Sequence, residues 1–177
     1  IVGGDKTSAE RFSTWRKMVG SKIRWLNTYG PTEGTIIATA FNPDDGKKSW
    51  QMGSEVPIGR PIANAKIHIL DRQMQPVPVG VKGYLHIGGA SVARGYLNRP
   101  DLTAEKFVPD PFSKTAGARL YNTGDLARYL PDGNIEFIGR AVHQVKIRGF
   151  RIELSEIEAE LEKHPLIQEA VVVAKEE

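Results

Sequence analysis

The sequence predicts an α/β fragment that comprises the end of an α/β layered subdomain, a small distorted β-barrel and the start of a small α/β C-terminal subdomain. Three observations predict this fold class. An amphipathic stretch lies over residues 9–19 between apolar segments, short alternating segments fill residues 42–140, and a strand–helix–strand pattern begins at residue 144. We therefore expect three parts, which are residues 1–50, 51–140 and 141–177.

The first part is predicted to hold one helix and two strands around a turn. Its pattern predicts the helix over residues 9–19 and strands over 23–26 and 35–41. Gly30-Pro31 lies between the two strands and predicts a tight turn, because proline fixes its own φ and disfavours helical geometry at the residue before it. Ligands usually bind at a turn that follows a strand, so residues 27–33 are the first candidate site.

The second and third parts are predicted from alternation and capping signals. Alternating segments predict strands at residues 65–70, 83–87, 120–121, 127–130 and 134–138. One helix is expected near residues 103–107. In the third part we expect a strand at 144–148, a helix that begins at the capping box of Ser155 and Glu158, and a buried strand over 167–174.

Composition narrows the classes of function. The chain carries 24 basic and 21 acidic side chains, and the net charge of +3 gives little reason to expect nucleic acid. The absence of cysteine excludes a disulfide, a thiolate metal site and a cysteine nucleophile, and it fits a reducing cytosol. The apolar run at 170–174 is far shorter than the ~20 residues that span a bilayer. We therefore expect a cytoplasmic piece of a larger protein that binds neither nucleic acid nor membrane.

The loop Asn27-Thr-Tyr-Gly-Pro-Thr-Glu33 is a candidate site for a nucleotide and a metal ion. The Thr32 hydroxyl suits a phosphate, and the Glu33 carboxylate suits Mg²⁺, which takes one or two carboxylates while phosphates supply other ligands. Tyr29 offers a flat face for an adenine, and the Asn27 amide can hydrogen-bond the edge of a base. The alternative is a purely structural one, in which Thr32 is the N-cap of a helix and Glu33 favours its dipole.

This loop resembles a core motif of the adenylation domains of nonribosomal peptide synthetases, within the wider superfamily of acyl-CoA synthetases and luciferases. Further segments resemble the motifs of that family in the expected order, and they are Gly83–Leu97, Tyr121–Leu126 and Gly139–Glu153. The resemblance covers essentially the whole chain. It implies that the loop binds ATP and Mg²⁺ while a carboxylic acid is activated.

The resemblance also implies roles for individual residues. It assigns contacts with ATP or AMP to Gly3, Gly4, Asp5, Asn27, Tyr29, Gly30, Thr32, Asp125, Phe137 and Arg140. Thr32 and Glu33 are the implied catalytic residues, and Glu33 is the implied metal ligand. Asp125 would accept hydrogen bonds from both ribose hydroxyls, or else be an Asx-type turn residue. Arg140 would approach the ribose and phosphates, or else form an ordinary surface salt bridge.

A second set of residues is implied to contact the acid. Four uncharged residues match positions of the side-chain pocket, and they are Val2, Thr28, Ile36 and Ile37. Core packing is an equally good interpretation of the two isoleucines. Arg94 and Tyr96, which belong to the Val-Ala-Arg-Gly-Tyr segment, are interpreted as structural residues.

Two departures from the family pattern limit the prediction. The family has an aspartate at the hinge of the C-terminal subdomain, and this chain has Val142 there, which is stiff and cannot make a polar contact. In addition, the phosphate loop of the family is expected before residue 1 and the catalytic lysine after residue 177. We therefore expect the isolated chain to be inactive.

The resemblance implies activation of an acid by ATP, with pyrophosphate released and an acyl-adenylate formed. The motifs favour an amino acid, which passes to a phosphopantetheine thiol on a peptidyl carrier domain, and a neighbouring condensation domain is a further candidate partner. An acyl-CoA or aryl-acid ligase would share every nucleotide residue and remains an alternative. A non-catalytic fragment is the second alternative, and a nucleic-acid-binding domain is a distant third.

Overall fold

The computed structural model describes residues 1–20, 22–44, 55–141, 144–147, 150–154, 157, 160–161, 163–164 and 166–173. The chain divides into two compact units, Ile1–Gly139 and Arg140–Glu177. The first unit holds a four-stranded and a five-stranded sheet, and the second holds a two-stranded hairpin. The predicted α/β fragment is confirmed, whereas the division into residues 1–50, 51–140 and 141–177 stays a prediction.

The four-stranded sheet carries the candidate loop. Its strands follow in the order β1-β2-β3-β4, with β1 parallel to β2 and the other pairs antiparallel. They are β1 (Val2–Gly3), β2 (Asn27–Tyr29), β3 (Thr39–Phe41) and β4 (Arg60–Pro61). Helix α1 (Ala9–Val19) lies between β1 and β2, and the loop of residues 30–38, which contains the second half of the candidate motif, connects β2 to β3. Both ends of the loop are therefore fixed by one sheet.

Helix α1 begins and ends at residues that satisfy its free backbone groups. The Ser8 hydroxyl accepts a hydrogen bond from the Arg11 amide, and Gly20 ends the helix with a φ of +63°. On the buried face, Phe12 packs with Trp25 and Phe41. Among the described residues, neither α1 nor any other helix is both long and apolar enough to cross a membrane.

The five-stranded sheet forms the centre of the first unit. Its order is β5-β6-β8-β7, and β9 also pairs with β8. The strands are β5 (Ala65–Leu70), β6 (Gly83–Gly89), β7 (Phe107–Pro109), β8 (Arg119–Tyr129) and β9 (Ile135–Arg140), and helix α2 (Pro100–Lys106) precedes β7. On β5 and β6 the side chains of Ile67, Ile69, Leu85 and Ile87 alternate along the strands and are buried, whereas β8 also buries the polar residues Thr123 and Asp125. In the second unit, β10 (Gln144–Ile147) pairs with β11 (Phe150–Glu153).

One apolar core connects the two sheets of the first unit. It contains the buried side chains Ala38, Ile58, Ile67, Ile69, Leu85, Ile87, Ala127 and Ile135. Ala38 and Ile58 belong to segments next to the four-stranded sheet, and the others come from the five-stranded sheet. Tyr29 and Phe137 pack against this core while remaining half-buried. Burial of their inner faces positions both rings without hiding them completely.

Several elements differ from the sequence predictions. The strand expected at 23–26 lies at Asn27–Tyr29, and the strand expected from residue 35 begins at Thr39. The two segments at 120–121 and 127–130 are parts of the single strand β8. The buried strand expected over 167–174 is wrong, because residues 166–173 form no strand and Val171 is 77% exposed. The capping box at Ser155 and Glu158 lies outside the described residues.

The stability of the folded chain is expected to depend on pH because of two histidines on neighbouring strands. His68 faces His86 across β5 and β6, and burial lowers the pKa of both imidazoles below the ordinary value of 6.5. The folded chain therefore disfavours protonation relative to the unfolded chain. The free energy of unfolding should be constant above about pH 6.5 and should fall as the pH drops below it.

The measurement is urea unfolding of the chain at pH 7.5 and pH 5. The His86→Gln variant should lose less stability between these two values than the unchanged chain, and the exposed His164→Gln variant is the control. An equal loss of stability in His86→Gln and the unchanged chain would show that His86 does not cause the dependence.

Candidate nucleotide site

The turn after β2 is shaped by a close approach of backbone segments. A Cβ atom on Gly30 would lie 2.7 Å from both the Ala38 nitrogen and the Ile36 oxygen, so only glycine fits there. The Ala38 amide donates to the Tyr29 carbonyl at 2.8 Å and closes the loop behind this glycine. Gly30 is thus explained by its neighbours in the protein, and its predicted contact with a nucleotide stays a prediction.

The returning part of the loop is strained. Thr35 and Ile36 have φ values of +59° and +69°, which β-branched residues rarely adopt. The Ile37 amide donates to the Thr35 carbonyl at 2.8 Å, which is the i to i+2 bond of a γ-turn centred on Ile36. This geometry leaves the Ile36 side chain 72% exposed, so Ile36 is not a core residue. Strained backbone of this kind is concentrated at functional sites.

Asp125 is buried beside the loop. Its residue exposure is 4%, and the Tyr29 hydroxyl donates a hydrogen bond to its Oδ2 atom. The Asx-type bond nearby belongs to Asn122, whose Oδ1 accepts from the Gly124 amide at 3.1 Å. Asp125 therefore lies within β8 and contacts the loop, which does not support its interpretation as a turn residue.

An irregularity in the sheet directs the Asp125 side chain. Between the pairs Tyr84–Leu126 and His86–Asn122, β8 has more residues than β6, so the register shifts. Such bulges commonly re-aim a side chain next to an active site. Hydrogen bonds fix the bulge, since the Asp125 amide donates to Thr123 Oγ1 at 3.0 Å.

The Tyr29 ring, whose hydroxyl bonds to this carboxylate, lies against a second aromatic ring. The centroids of Tyr29 and Phe137 are 6.1 Å apart, with 39° between the ring planes. Both rings are half-buried, so each keeps some exposed apolar surface. A buried carboxylate beside apolar ring surface is a combination that fits a nucleoside, whose base is flat and whose ribose donates hydrogen bonds.

The segment Gly3-Gly4-Asp5 follows β1, which lies parallel to β2. A Cβ on Gly3 would lie 2.6 Å from the Thr28 hydroxyl oxygen, so packing between the two strands already requires this glycine. Gly4 has a φ of +92° and nothing within 4 Å of the Cβ position, so it leaves an open space. Asp5 is exposed. These features permit the predicted contact with a base without testing it.

Two other predicted contacts meet competing hydrogen bonds. The Asn27 amide accepts from Thr7 Oγ1 at 2.9 Å and donates to the Pro57 carbonyl at 2.8 Å. Asn27 is only 3% exposed, so these bonds give it a structural role and lend no support to a contact with the base. The Thr28 hydroxyl likewise donates to the Val2 carbonyl at 2.9 Å.

Thr32 and Glu33 lie in a single turn of 3₁₀-helix over Thr32–Gly34. Pro31 occupies the N-cap position and makes no side-chain capping bond, so the interpretation of Thr32 as an N-cap is wrong. The Thr32 side chain is exposed instead. Glu33 is half-buried, and its Oε1 accepts a hydrogen bond from the Tyr96 hydroxyl at 2.6 Å. Burial and this hydrogen bond raise the pKa of Tyr96, which therefore remains a donor.

Glu33 fits a magnesium ion as its one carboxylate ligand. Within the described part of the chain there is no group of three or more His, Cys, Asp or Glu residues that could hold a metal. A nucleotide-bound Mg²⁺ needs no such group, because phosphate oxygens and waters supply its other ligands. The chain would then provide Glu33 and leave the remaining positions to the nucleotide.

The predicted roles of two further residues are not tested by the structure. Arg140 is the first residue of the second unit, so its approach to the ribose stays a prediction. Val142, the predicted hinge, lies outside the described residues.

An open cavity of about 440 Å³ adjoins Phe137, and sequence reasoning did not find it. Its lining residues are Lys6, Gly80, Lys82, Arg128, Glu136, Phe137 and Ile138. Arg128 pairs with Glu136, and Lys6 lies 3.1 Å from Glu55. The cavity thus shares the Phe137 ring with the candidate nucleotide site, and its lining includes three basic residues, Lys6, Lys82 and Arg128.

Comparison with known proteins identifies the family of the chain. Residues 1–97 match the family described as AMP-binding enzyme. The chain is 56% identical over 177 residues to gramicidin S synthase 2 of Brevibacillus brevis, a match that covers 100% of the chain and 4% of that protein. It is 55% identical over 174 residues to malpibaldin synthetase of Mortierella alpina, covering 98% of the chain and 3% of the relative. The chain therefore spans only a small part of these proteins.

Solved structures agree along nearly the whole chain. An artificially fused adenylation-PCP di-domain NRPS from Klebsiella oxytoca matches with a TM-score of 0.78 and 34% identity, covering 99% of this chain and 32% of the other. A second NRPS protein that contains adenylation and PCP domains matches with a TM-score of 0.81 and 31% identity, covering 99% of this chain and 34% of the other. With its loop, its buried Asp125 and these relatives, the chain belongs to the AMP-binding enzyme family.

Proposed function

We propose that the enzyme containing this chain activates an amino acid with ATP as an acyl-adenylate, releases pyrophosphate, and passes the acyl group to a phosphopantetheine thiol on a carrier domain. The observation that carries this proposal is the buried carboxylate of Asp125, which accepts a hydrogen bond from Tyr29, and the ring of Tyr29 in turn lies against that of Phe137. The choice of an amino acid as the substrate is supported by the relatives. Two of them are gramicidin synthases, and a similar solved structure is an NRPS protein.

In this proposal Asp125 binds the ribose. Its carboxylate can accept several hydrogen bonds, so it can keep the bond from Tyr29 while accepting from the two ribose hydroxyls. The Tyr29 bond fixes the carboxylate, which reduces the entropy that nucleotide binding must overcome. The rings of Tyr29 and Phe137 then contact the base. Gly3, Gly4 and Asp5 lie along the neighbouring strand end and line the base on the other side.

Thr32 and Glu33 act at the phosphates. The exposed Thr32 hydroxyl donates to a phosphate oxygen, and the Glu33 carboxylate holds Mg²⁺. The bound ion would neutralise phosphate charge as the α-phosphate is attacked. We further propose that Arg140 adds a positive charge near the ribose and phosphates and that Val142 stands at the hinge position of the C-terminal subdomain. The protein is proposed to work in the cytoplasm.

The pocket for the acid lies on the strained side of the loop. Ile36 is 72% exposed, the next residue Ile37 is half-buried, and Thr28 on β2 is also half-buried. These three residues and Val2 are all uncharged, and in this proposal they line the pocket. Such a surface fits an acid with an apolar side chain better than one with a charged side chain.

The test of the function is ATP–pyrophosphate exchange by the full-length enzyme with a panel of acids. Exchange should depend on an amino acid with an apolar side chain, and the isolated 177 residues should show none. Exchange that responds only to fatty or aryl acids, followed by formation of a CoA thioester, would contradict the choice of an amino acid. Robust exchange by the isolated chain would contradict its proposed incompleteness.

Replacement of Asp125 tests the ribose contact. Hydrogen bonds to a charged acceptor contribute about 1.5–3 kcal/mol, so Asp125→Ala should weaken ATP binding by about 10- to 150-fold. Titration calorimetry of the full-length enzyme with ATP measures this change. Asp71→Ala is the matched control, because it also removes a carboxylate. The Asp71 carboxylate accepts hydrogen bonds from the nearby backbone amides of Gln73 and Gln75, away from the candidate site. Unchanged affinity in Asp125→Ala would make Asp125 a structural residue.

Replacement of Glu33 tests the metal contact. Glu33→Gln keeps the shape of the side chain and removes its charge, so the Mg²⁺ concentration for half-maximal exchange should rise by about 10-fold. A Mg²⁺ titration at saturating ATP measures this shift. The exposed Glu105→Gln should leave the titration unchanged. If Glu33→Gln behaves like Glu105→Gln, Glu33 does not bind the metal.

A further inference from the structure

Tyr96 contacts the proposed metal ligand from a distant part of the chain. Its hydroxyl donates to Glu33 Oε1 at 2.6 Å across a separation of 63 residues. The same hydroxyl lies 3.5 Å from the Tyr121 hydroxyl on β8. The sequence alone suggested only a structural role for Tyr96. The structure instead joins it directly to a residue with a proposed role in catalysis.

The Tyr96 ring is fixed by its surroundings. Its amide donates to Thr103 Oγ1 at 2.9 Å, and its ring packs edge to face with Phe107 at 5.5 Å. Before it, Gly95 has a φ of +140°, and a Cβ there would lie 2.4 Å from a Thr103 methyl carbon. The chain therefore passes close against α2 at this point. A ring packed in this way holds its hydroxyl in one place.

The backbone ahead of Tyr96 is also tied to Glu33. The Ala93 amide donates to the Glu33 carbonyl at 2.8 Å. The Arg119 guanidinium donates to the Arg94 carbonyl at 2.8 Å and to the Ala93 carbonyl at 3.1 Å, and it lies over the Phe107 ring. Segment 93–96 thus contacts Glu33 through both its main chain and a side chain.

A carboxylate that binds a metal must present an oxygen in a narrow range of directions, and hydrogen bonds from neighbouring groups usually orient it. A bond from a hydroxyl to a carboxylate is charge-assisted and favours one rotamer of the glutamate. We propose that Tyr96 is a positioning residue that orients the Glu33 carboxylate toward the nucleotide-bound Mg²⁺. This inference rests on the proposed role of Glu33.

The direct test measures metal binding without turnover. Mn²⁺ replaces Mg²⁺, and its binding to the full-length enzyme with α,β-methylene ATP is followed by the loss of the free-ion signal in electron paramagnetic resonance. Tyr96→Phe removes only the hydroxyl, and it should weaken Mn²⁺ binding by about 10-fold. Tyr129→Phe is the matched control, because it also removes a tyrosine hydroxyl. That hydroxyl donates to the Ile67 carbonyl at 2.9 Å, within the five-stranded sheet.

A purely structural role predicts a different pattern. If Tyr96 only stabilises the fold, Tyr96→Phe and Tyr129→Phe should lower the melting temperature by similar amounts and leave Mn²⁺ binding unchanged. That outcome would overturn the inference. If the Tyr96→Phe variant fails to fold, the Thr103→Val variant is measured instead. This isosteric change removes the hydroxyl that accepts the hydrogen bond from the Tyr96 amide, so it loosens the backbone at Tyr96. Thr103→Val should weaken Mn²⁺ binding by about two- to threefold, and no change would equally overturn the inference.

A double-mutant cycle separates this inference from the role of Glu33. Because Tyr96 is proposed to act through Glu33, Tyr96→Phe should have little further effect on Mn²⁺ binding in the Glu33→Gln background. Additive effects would show that Tyr96 acts elsewhere. If Glu33→Gln alone leaves binding unchanged, the proposed metal ligand is wrong. If Glu33→Gln weakens binding and Tyr96→Phe does not, only the positioning role fails.

Discussion

The hydrogen bond from the Tyr29 hydroxyl to the Asp125 carboxylate connects the two sheets of the first unit at the candidate site. It joins residues 96 positions apart in the chain. Asp125 is only 4% exposed, and burying a carboxylate without a hydrogen-bond partner raises the free energy of the folded state. The bond from Tyr29 offsets part of this cost, and it also fixes the end of β2. The loop over residues 27–33 then has a defined place relative to β8, and the proposed ribose and phosphate contacts depend on that placement.

The strain in the loop is stabilised from outside it. Residues with positive φ such as Thr35 and Ile36 cost on the order of 1–3 kcal/mol each. The Thr35 hydroxyl donates to the Ser91 carbonyl at 2.7 Å, and the Ala93 amide donates to the Glu33 carbonyl. Segment 91–96 therefore supports the loop at Thr35 and at Glu33. The same segment therefore contacts both the proposed pocket for the acid and the proposed metal ligand.

Local patterns predicted much of the fold, and long-range contacts explain the rest. Helix α1 and strand β5 were predicted with the observed bounds, because periodicity is a property of neighbouring residues. The exposure of Ile36 was not predictable, since it follows from a positive φ that its β-branched side chain disfavours. The contact between Tyr96 and Glu33 required the fold, because no local signal pairs residues so far apart. Motif resemblance found Asp125, whereas its bond to Tyr29 was missed.

The central claim is that Asp125 and Tyr29 form the nucleoside part of an adenylation site. A crystal structure of the full-length enzyme with a non-hydrolysable acyl-adenylate analogue tests it most directly. We expect the Asp125 carboxylate to accept hydrogen bonds from both ribose hydroxyls, with the adenine against the ring of Tyr29. An analogue bound elsewhere, with Asp125 bonded only to protein groups, would contradict the claim.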